Sequence, residues 1–252
     1  MAWRRVPVRV DGRAGPLRSD HLRKAVVLLS GGIDSSTALA IADDMGYEIH
    51  ALTILYGQRH EREVESAKKV ASAFNVEEHR IMKLPEGLFS ASALTYDEDV
   101  PVDGDLERYG IPSTYVPARN LVFLSIAVSW AEAMDADAVF IGVTSVDYSG
   151  YPDCRGEFIE AFREASALAT RRGVEGNPVE ILTPLIDLSK GDIIRRGIEL
   201  GLDYSLTWSC YKGGERACGR CDSCRYRLKG FRDAGIDDPL EYEDDADGTV
   251  HK

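Results

Sequence analysis

The residues with the clearest chemical potential read S-G-G-I-D-S at positions 30–35, directly after the apolar run A-V-V-L-L. Two adjacent glycines allow a positive φ and bring backbone N–H groups close to an anion. The helix expected to follow adds free N–H groups and the positive end of its dipole. Ser30, Ser35 and Ser36 add hydroxyl groups. These features predict a polyphosphate-binding turn, and the alternative is an ordinary strand-to-helix turn with Ser or Asp as the N-cap.

This turn is neither a Walker A loop, since G-x-x-x-x-G-K-[ST] is absent, nor the dinucleotide fingerprint G-x-G-x-x-G. It resembles the PP-loop of the ATP pyrophosphatase superfamily, whose members cleave ATP between the α and β phosphates and adenylate a substrate oxygen. Mg²⁺ is expected to share the phosphate charge. The resemblance implies that ATP is bound by one continuous run: Leu29, Ser30, Gly31, Gly32, Ile33, Asp34, Ser35, Ser36, Thr37, Ala38 and Leu39.

The second chemical feature is a set of four cysteines spaced C-x7-C-x2-C-x2-C: Cys210, Cys218, Cys221 and Cys224. The two-residue spacings allow neighbouring thiolates to converge on one ion, and the chain shows no secretory signal that would favour disulfides. Zn²⁺ held by four thiolates has no open position for water, so its expected role is structural. The alternatives are an iron–sulfur cluster on the same ligands and four free buried thiols.

Further motifs lie between these two features, in the order found in a known family. They are Y-G-Q-R-H-E-R-E at 56–63, V-P-A-R-N at 116–120, D-Y-S-G-Y-P-D-C-R at 147–155 and S-C-Y…C-G-R-C-D-S-C-R from position 209. With the phosphate loop they resemble the 7-cyano-7-deazaguanine synthase family (QueC type) over residues 24–231. The resemblance implies an ATP-dependent C–N ligase that makes 7-cyano-7-deazaguanine from 7-carboxy-7-deazaguanine and ammonia. Adenylated carboxylate and amide intermediates would form on the route to queuosine or archaeosine.

Three residues are candidates for catalysis in such a reaction. Asp34 would order the phosphate loop or a metal ion. Arg119 in P-A-R-N and Lys190 in L-S-K-G-D would balance developing charge on the phosphates. For each of the two cations the alternative is a surface position at the start of a helix.

Substrate recognition is expected from the loop after the fourth predicted strand. A deazaguanine ring offers a flat face for Tyr and a polar edge for Asp, and Arg155 is expected to pair with the substrate carboxylate. The alternative is a tight turn around Ser149 and Gly150 whose polar groups only satisfy the backbone. His60 is more readily a structural histidine than a base for ammonia. The candidate substrate residues are Asp147, Tyr148, Tyr151, Asp153 and Arg155.

Other functions compete with this one. One alternative is a PP-loop enzyme that thiolates or aminoacylates a tRNA base, with the cysteine module gripping the RNA. Paired catalytic cysteines are lacking for it, since Cys154 is the one cysteine outside the metal set and is expected to be structural. A relative could join a deazapurine to another acceptor. A non-catalytic nucleotide-binding module would leave the loop at 147–155 without a purpose. No glutaminase nucleophile is apparent, so free ammonium or a separate supplier must provide the nitrogen.

Charge separates the ends of the chain from its body. Of a net charge of −12, the first 24 residues carry +5 and residues 237–252 carry −6, which leaves −11 on the body. Such a body should repel nucleic acid except at a local basic patch, which the residues around the four cysteines form, so a small-molecule substrate is expected, with no nucleic acid or membrane partner. The basic start contains no apolar signal core, which predicts a cytoplasmic protein. A homodimer is also expected.

Strand and helix patterns alternate along the body. Strands are predicted at 24–29, 47–55, 76–84 and 136–143, and helices at 35–45, 61–74 and 117–134. Strands separated by helices predict an α/β fold with a doubly wound, mainly parallel sheet, Rossmann-like in the PP-loop manner, with a small C-terminal four-cysteine zinc module. The predicted divisions are a basic extension at 1–23, an ATP-binding domain at 24–205, the zinc module at 206–236 and an acidic, solvated tail at 237–252.

Overall fold

The computed structural model describes residues 22–58, 62–85, 87–89, 92–95, 100–104, 110–145 and 150–243. Most of the predicted basic extension (1–21) and the end of the predicted acidic tail (244–252) lie outside these ranges.

Five parallel strands form the central sheet. In chain order they are β1 (Lys24–Leu28), β2 (Glu48–Leu55), β3 (Glu78–Lys83), β4 (Ala138–Phe140) and β5 (Glu180–Leu182). Their spatial order is β3-β2-β1-β4-β5, and each neighbouring pair is parallel. The predicted doubly wound parallel sheet is therefore confirmed. The order reverses between β1 and β4, so ligands are expected in the crevice at the carboxyl ends of these strands.

Helices cover both faces of the sheet because strand side chains alternate between two cores. Ala25 and Val27 face a core shared with α1, α6 and α7, whereas Val26 and Leu28 face a second core shared with α3 and α4. None of the described helices is long and apolar enough to cross a membrane. The helices are α1 (Ile33–Asp44), α2 (Arg62–Ala73), α3 (Arg119–Ala133), α4 (Gly156–Ala169), α5 (Arg171–Val174), α6 (Lys190–Glu199) and α7 (Asp222–Ala234).

The C-terminal segment is joined to the sheet domain through α6 and α7, which pack on each other. It also continues past the predicted boundary at residue 236. Asp238 accepts from Arg227 Nε at 2.8 Å in an ion pair whose side chains are 5% and 1% exposed. Tyr242 is buried, donates to Asp238 and bridges through its backbone to Ala217. Within the predicted tail Asp238 and Tyr242 are therefore packed against the chain, because a buried guanidinium requires a buried partner, whereas Asp237, Pro239, Glu241 and Glu243 are exposed.

Candidate active site

The phosphate loop connects β1 to α1 as a tight turn. Gly31 has a φ of +83°, and a Cβ there would overlap the backbone carbonyl oxygen of Glu63, so both conformation and space require glycine. The Ser30 N–H donates to Ser35 Oγ at 3.1 Å. Gly32 is the N-cap of α1, and no side chain caps the helix. The alternative of a turn capped by Ser or Asp is thus not what the structure contains, and the arrangement suits an anion at the helix start.

Asp34 and Lys190 meet beside this loop. Lys190 Nζ donates to both carboxylate oxygens of Asp34, at 2.6 and 2.7 Å. Ser189 is the N-cap of α6 and so fixes the position of Lys190, the first residue of that helix. Gly230 in α7 gives the Lys190 side chain room, because a Cβ there would overlap it. Lys190 therefore brings a positive charge to the phosphate loop from a distant part of the chain.

A cavity of about 300 Å³ lies at the carboxyl ends of β1, β2 and β4, where the switch in strand order predicts a ligand site. Asp34 and Lys190 both line it. One wall is aromatic: the Tyr56 ring centroid lies 5.6 Å from that of Phe123 and 6.0 Å from that of Phe89. The cavity thus combines a phosphate loop with a flat, apolar surface on which a ring system can stack.

Arg119, the first residue of α3, adds a positive charge to the aromatic wall. Its Nη1 donates to Tyr56 Oη at 3.3 Å. Its guanidinium carbon lies 5.5 Å from the Tyr56 ring centroid and 6.0 Å from that of Phe123. Burial opposes this charge, but Tyr56, Tyr151 and Cys154 favour it and raise the pKa of Arg119 overall. The cavity therefore contains a guanidinium that is charged at any working pH.

Cys154 also lines the cavity, as a neutral thiol. Burial, helped by the neighbouring Asp153, raises the pKa of the Cys154 thiol to about 12. Asn120 Nδ2 donates to its Sγ at 3.3 Å. Since the thiolate is the nucleophile, this cysteine is poorly suited to sulfur transfer. That counts against a thiolation enzyme.

The residues predicted to bind the substrate are not all brought together. Tyr151 lines the cavity. Asp153 is buried and accepts from the Asn120 backbone N–H at 2.8 Å, at the start of α3, so its carboxylate stabilises a helix end. Arg155 is exposed, is the N-cap residue of α4 and does not line this cavity. Asp147 and Tyr148 lie outside the described residues, as do Arg59 and His60.

The cavity residues that were not selected from the sequence include Tyr56, Glu63, Phe123 and Tyr211. Two signals pointed to some of them. Tyr56 and Glu63 belong to the motif Y-G-Q-R-H-E-R-E, and Phe123 lies one helical turn after Arg119. Burial raises the pKa of Glu63 to about 7, while Arg119 lowers it and Cys210 raises it further.

The four C-terminal cysteines converge, as their spacing predicted. All four are buried, and their Sγ atoms lie within 4.8 Å of one another. The Cys218 and Cys224 sulfurs are 4.0 Å apart, far beyond a disulfide bond of about 2.05 Å. Two corners of a zinc tetrathiolate with Zn–S bonds of about 2.3 Å are about 3.8 Å apart. Backbone N–H groups of Lys212 and Cys221 donate to Cys210 and Cys218 Sγ at 3.4 and 3.3 Å. The donor set and its spacing fit a tetrahedral metal ion.

Trp208 connects this cysteine cluster to the phosphate loop. Its backbone N–H donates to the Gly31 carbonyl at 2.9 Å, and its indole Nε1 donates to the Cys210 carbonyl at 3.0 Å. The Arg62 guanidinium carbon lies 4.7 Å above the indole ring. The loop that holds the metal ligands therefore also fixes the phosphate loop.

The basic residues around the cysteines are largely paired with acids. Arg220 bonds Asp103, Arg227 bonds Asp238, and Lys229 bonds Asp233. Because these charges are offset locally, the patch is a poor candidate for gripping RNA.

Comparison with known proteins gives one family and close relatives. A sequence model of the family described as "Queuosine biosynthesis protein QueC" matches residues 24–235. The 7-cyano-7-deazaguanine synthase of Azoarcus sp. (strain BH72) is 57% identical over 224 residues, covering 88% of this chain and 98% of that protein. The protein of the same name from Acetivibrio thermocellus is 56% identical over 221 residues, with coverages of 88% and 98%. Among solved structures, NMN synthetase from Francisella tularensis matches with a TM-score of 0.46 at 17% identity, over 86% of this chain and 79% of that one.

Proposed function

This chain belongs to the QueC family, and from that premise we propose how its cavity performs the family's reaction. Its relatives are named 7-cyano-7-deazaguanine synthases, and the chain is an ATP-dependent ligase that forms 7-cyano-7-deazaguanine. We propose 7-carboxy-7-deazaguanine and ammonia as its substrates. The chemical roles proposed for individual residues rest on one observation. The phosphate loop, Lys190 and Arg119 all line one cavity with an aromatic wall.

The reaction needs a leaving group on a carboxylate, which is a poor electrophile. Attack of a carboxylate oxygen on the α-phosphorus of ATP forms an acyl adenylate and expels pyrophosphate. We assign the pyrophosphate to the N–H groups of residues 30–35 and the start of α1, with Lys190 balancing its charge. Ammonia then forms the C–N bond, and AMP leaves with the C–O electron pair. The amide is activated in the same way, and loss of a second AMP leaves the nitrile.

The deazapurine ring is proposed to stack against the wall formed by Tyr56 and Phe123, with its 7-carboxylate toward Arg119. A guanidinium held on an aromatic wall offers a carboxylate two parallel hydrogen bonds. Arg119 takes over the role that the sequence suggested for Arg155, because Arg155 is exposed and outside the cavity. The same cation also faces the charge that develops as the adenylate forms.

The Arg119→Gln variant is expected to lose kcat/KM for the carboxylate by about 10- to 100-fold, the cost of one charge-assisted hydrogen bond of about 1.5–3 kcal/mol. The loss for the neutral amide should be smaller, because the amide offers no charge. Steady-state rates on both substrates check this. The control is Arg155→Gln, which should behave as wild type on both. An equal loss on the two substrates would remove Arg119 from the carboxylate site.

We assign Zn²⁺ to Cys210, Cys218, Cys221 and Cys224, where it would cross-link the loop that carries Trp208 and take no part in the chemistry. A structural Zn²⁺ ion is held by four protein ligands with no open position, and four thiolates are one such ligand set. Mg²⁺ stays a prediction. Mg²⁺ would be bound by the Asp34 carboxylate of the loop together with the nucleotide phosphates. In the described structure Lys190 donates to both oxygens of that carboxylate.

Three further expectations stay predictions: ammonia as the nitrogen donor, the homodimer and a cytoplasmic location. The first is tested together with the proposed function. Incubation with ATP, ¹⁵N-ammonium and 7-carboxy-7-deazaguanine should give a ¹⁵N-labelled nitrile by mass spectrometry. An amide as the final product, or an unlabelled nitrile, would contradict the assignment.

A further inference from the structure

The Glu63 carboxyl group lines the cavity and has a well-defined place in it. Glu63 lies in the first turn of α2, and its backbone carbonyl packs directly against Gly31 of the phosphate loop. Its side chain is partly buried. Among the described residues, no hydrogen bond or ion pair involves its carboxylate. The helix thus presents an unbonded carboxyl group to the space beside the expected leaving groups.

Three ionisable groups from different parts of the fold interact electrostatically with the Glu63 carboxyl group. They are Arg119 at the start of α3, Tyr56 after β2 and Cys210 in the cysteine loop. Burial raises the pKa of Glu63 to about 7, with Arg119 acting in the opposite direction. An ordinary glutamate has a pKa of about 4.3. Glu63 therefore gains and loses a proton near neutral pH, where a general base is most effective.

The proposed reaction releases protons from nitrogen, and this chemistry requires an acceptor. When the amide oxygen attacks the α-phosphorus and pyrophosphate leaves, the nitrogen gives up one of its two protons, and the product is a neutral adenylated imidate with one remaining N–H bond. To form the nitrile, one N–H bond breaks and its electron pair becomes the third C–N bond. The C–O bond breaks at the same time, and AMP leaves with that electron pair. The proton must go to a base beside the nitrogen.

Other described ionisable groups of the cavity are poorly suited to accept it. Burial raises the pKa of both Tyr56 and Tyr211, so their phenols keep their protons. The Cys154 thiol is neutral for the same reason. Asp34 is committed to Lys190 through both oxygens.

We propose that Glu63 is the catalytic base that takes the N–H proton as AMP leaves and the nitrile forms, an inference that rests on the proposed function. Its carboxylate gains the proton and later releases it to solvent. The same group is placed to accept the proton that the attacking nitrogen loses in the first half of the reaction. Glu63 would thus serve both activations from one position.

The test uses the amide as substrate, because this half of the reaction needs no ammonia and so avoids the titration of ammonium. With Glu63→Gln, nitrile formation should fall by about 10²- to 10³-fold, within the range for loss of a general base. Amide-dependent exchange of labelled pyrophosphate into ATP, which reports adenylation alone, should stay within about threefold of wild type. The matched control is Glu65→Gln in the same helix, at an exposed site paired with Lys68. It should leave both rates unchanged.

The pH profile gives a second readout. Wild-type kcat on the amide should fall as the pH drops through about 7, because a protonated carboxyl group cannot accept a proton. The Glu63→Gln variant should lose this acid limb. Should that variant melt early, Glu63→Asp replaces it and should keep the limb at a reduced rate.

Different failures have different meanings. A Glu63→Gln variant with more than a fifth of wild-type nitrile formation overturns the role of Glu63, as does an equal loss of exchange and turnover. A wild-type profile without an acid limb also overturns it. If the wild type makes no nitrile from the amide and ATP, the proposed function itself falls, and the role of Glu63 falls with it.

Discussion

The Gly32→Val variant is expected to lose nitrile formation by about three orders of magnitude or more while keeping its fold. Gly32 has φ −84° and ψ 172°, an extended conformation that valine adopts readily. A Cβ there would meet only Ser30 Oγ and the Trp208 carbonyl oxygen, each at 3.6 Å, which is ordinary contact. The folded chain therefore has room for the side chain. The pyrophosphate does not, because the branched methyl groups would lie over the N–H groups at the start of α1. Loss of one such donor costs about 10²–10³ in kcat, and several are blocked here.

Turnover and circular dichroism on the same preparation check this prediction. Gly156→Val is the control: it lies at the start of α4, away from the main cavity, and a Cβ there would meet no atom within 4 Å. It should retain full activity. Near-normal turnover by the Gly32 variant would show that residues 30–35 do not hold the leaving pyrophosphate.

The Cys221→Ser variant is expected to bind less than one metal ion per chain and to unfold or aggregate. Cys221 is fully buried and is the N-cap residue of α7. A structural zinc site contributes on the order of 10 kcal/mol, comparable to the whole stability of an ordinary domain, about 5–15 kcal/mol. Because Trp208 connects the cysteine loop to Gly31, nucleotide binding should weaken as the metal is lost.

Metal analysis by mass spectrometry and thermal denaturation measure this effect. Cys154→Ser, which changes the one cysteine outside the cluster, should keep its metal ion. Wild-type protein that carries no zinc would contradict the assignment, and so would a Cys221 variant with an unchanged melting temperature.

The sequence predicted those parts of the fold whose signal is local. Strands β1 and β2 appear as runs of apolar residues, and their predicted and observed limits agree within one residue. Strand β5 was not predicted, because three residues, Glu180–Leu182, are too few to show a pattern. The burial of Asp238 within the acidic tail was not predicted, because it depends on Arg227, eleven positions earlier.

The same distinction applies to the site. The phosphate loop and the cysteine cluster could be identified because each is contiguous in sequence. The cavity wall could not, since Tyr56, Arg119 and Tyr211 come together only through the order of the strands. Asp153 and Arg155 have the right chemistry for a substrate loop. One is bonded to the start of α3 and the other is the N-cap residue of α4, and neither outcome is visible in a motif.

One phosphate loop and one cavity are expected to perform two successive adenylations. The most direct test is the number of AMP molecules released per nitrile formed, measured by chromatography with limiting enzyme. Starting from 7-carboxy-7-deazaguanine, two AMP and two pyrophosphate should appear for each nitrile, and the amide should accumulate first when ATP is limiting. Starting from the amide, the ratio should be one. Release of ADP and phosphate, or a ratio of one from the carboxylate, would contradict two successive adenylations.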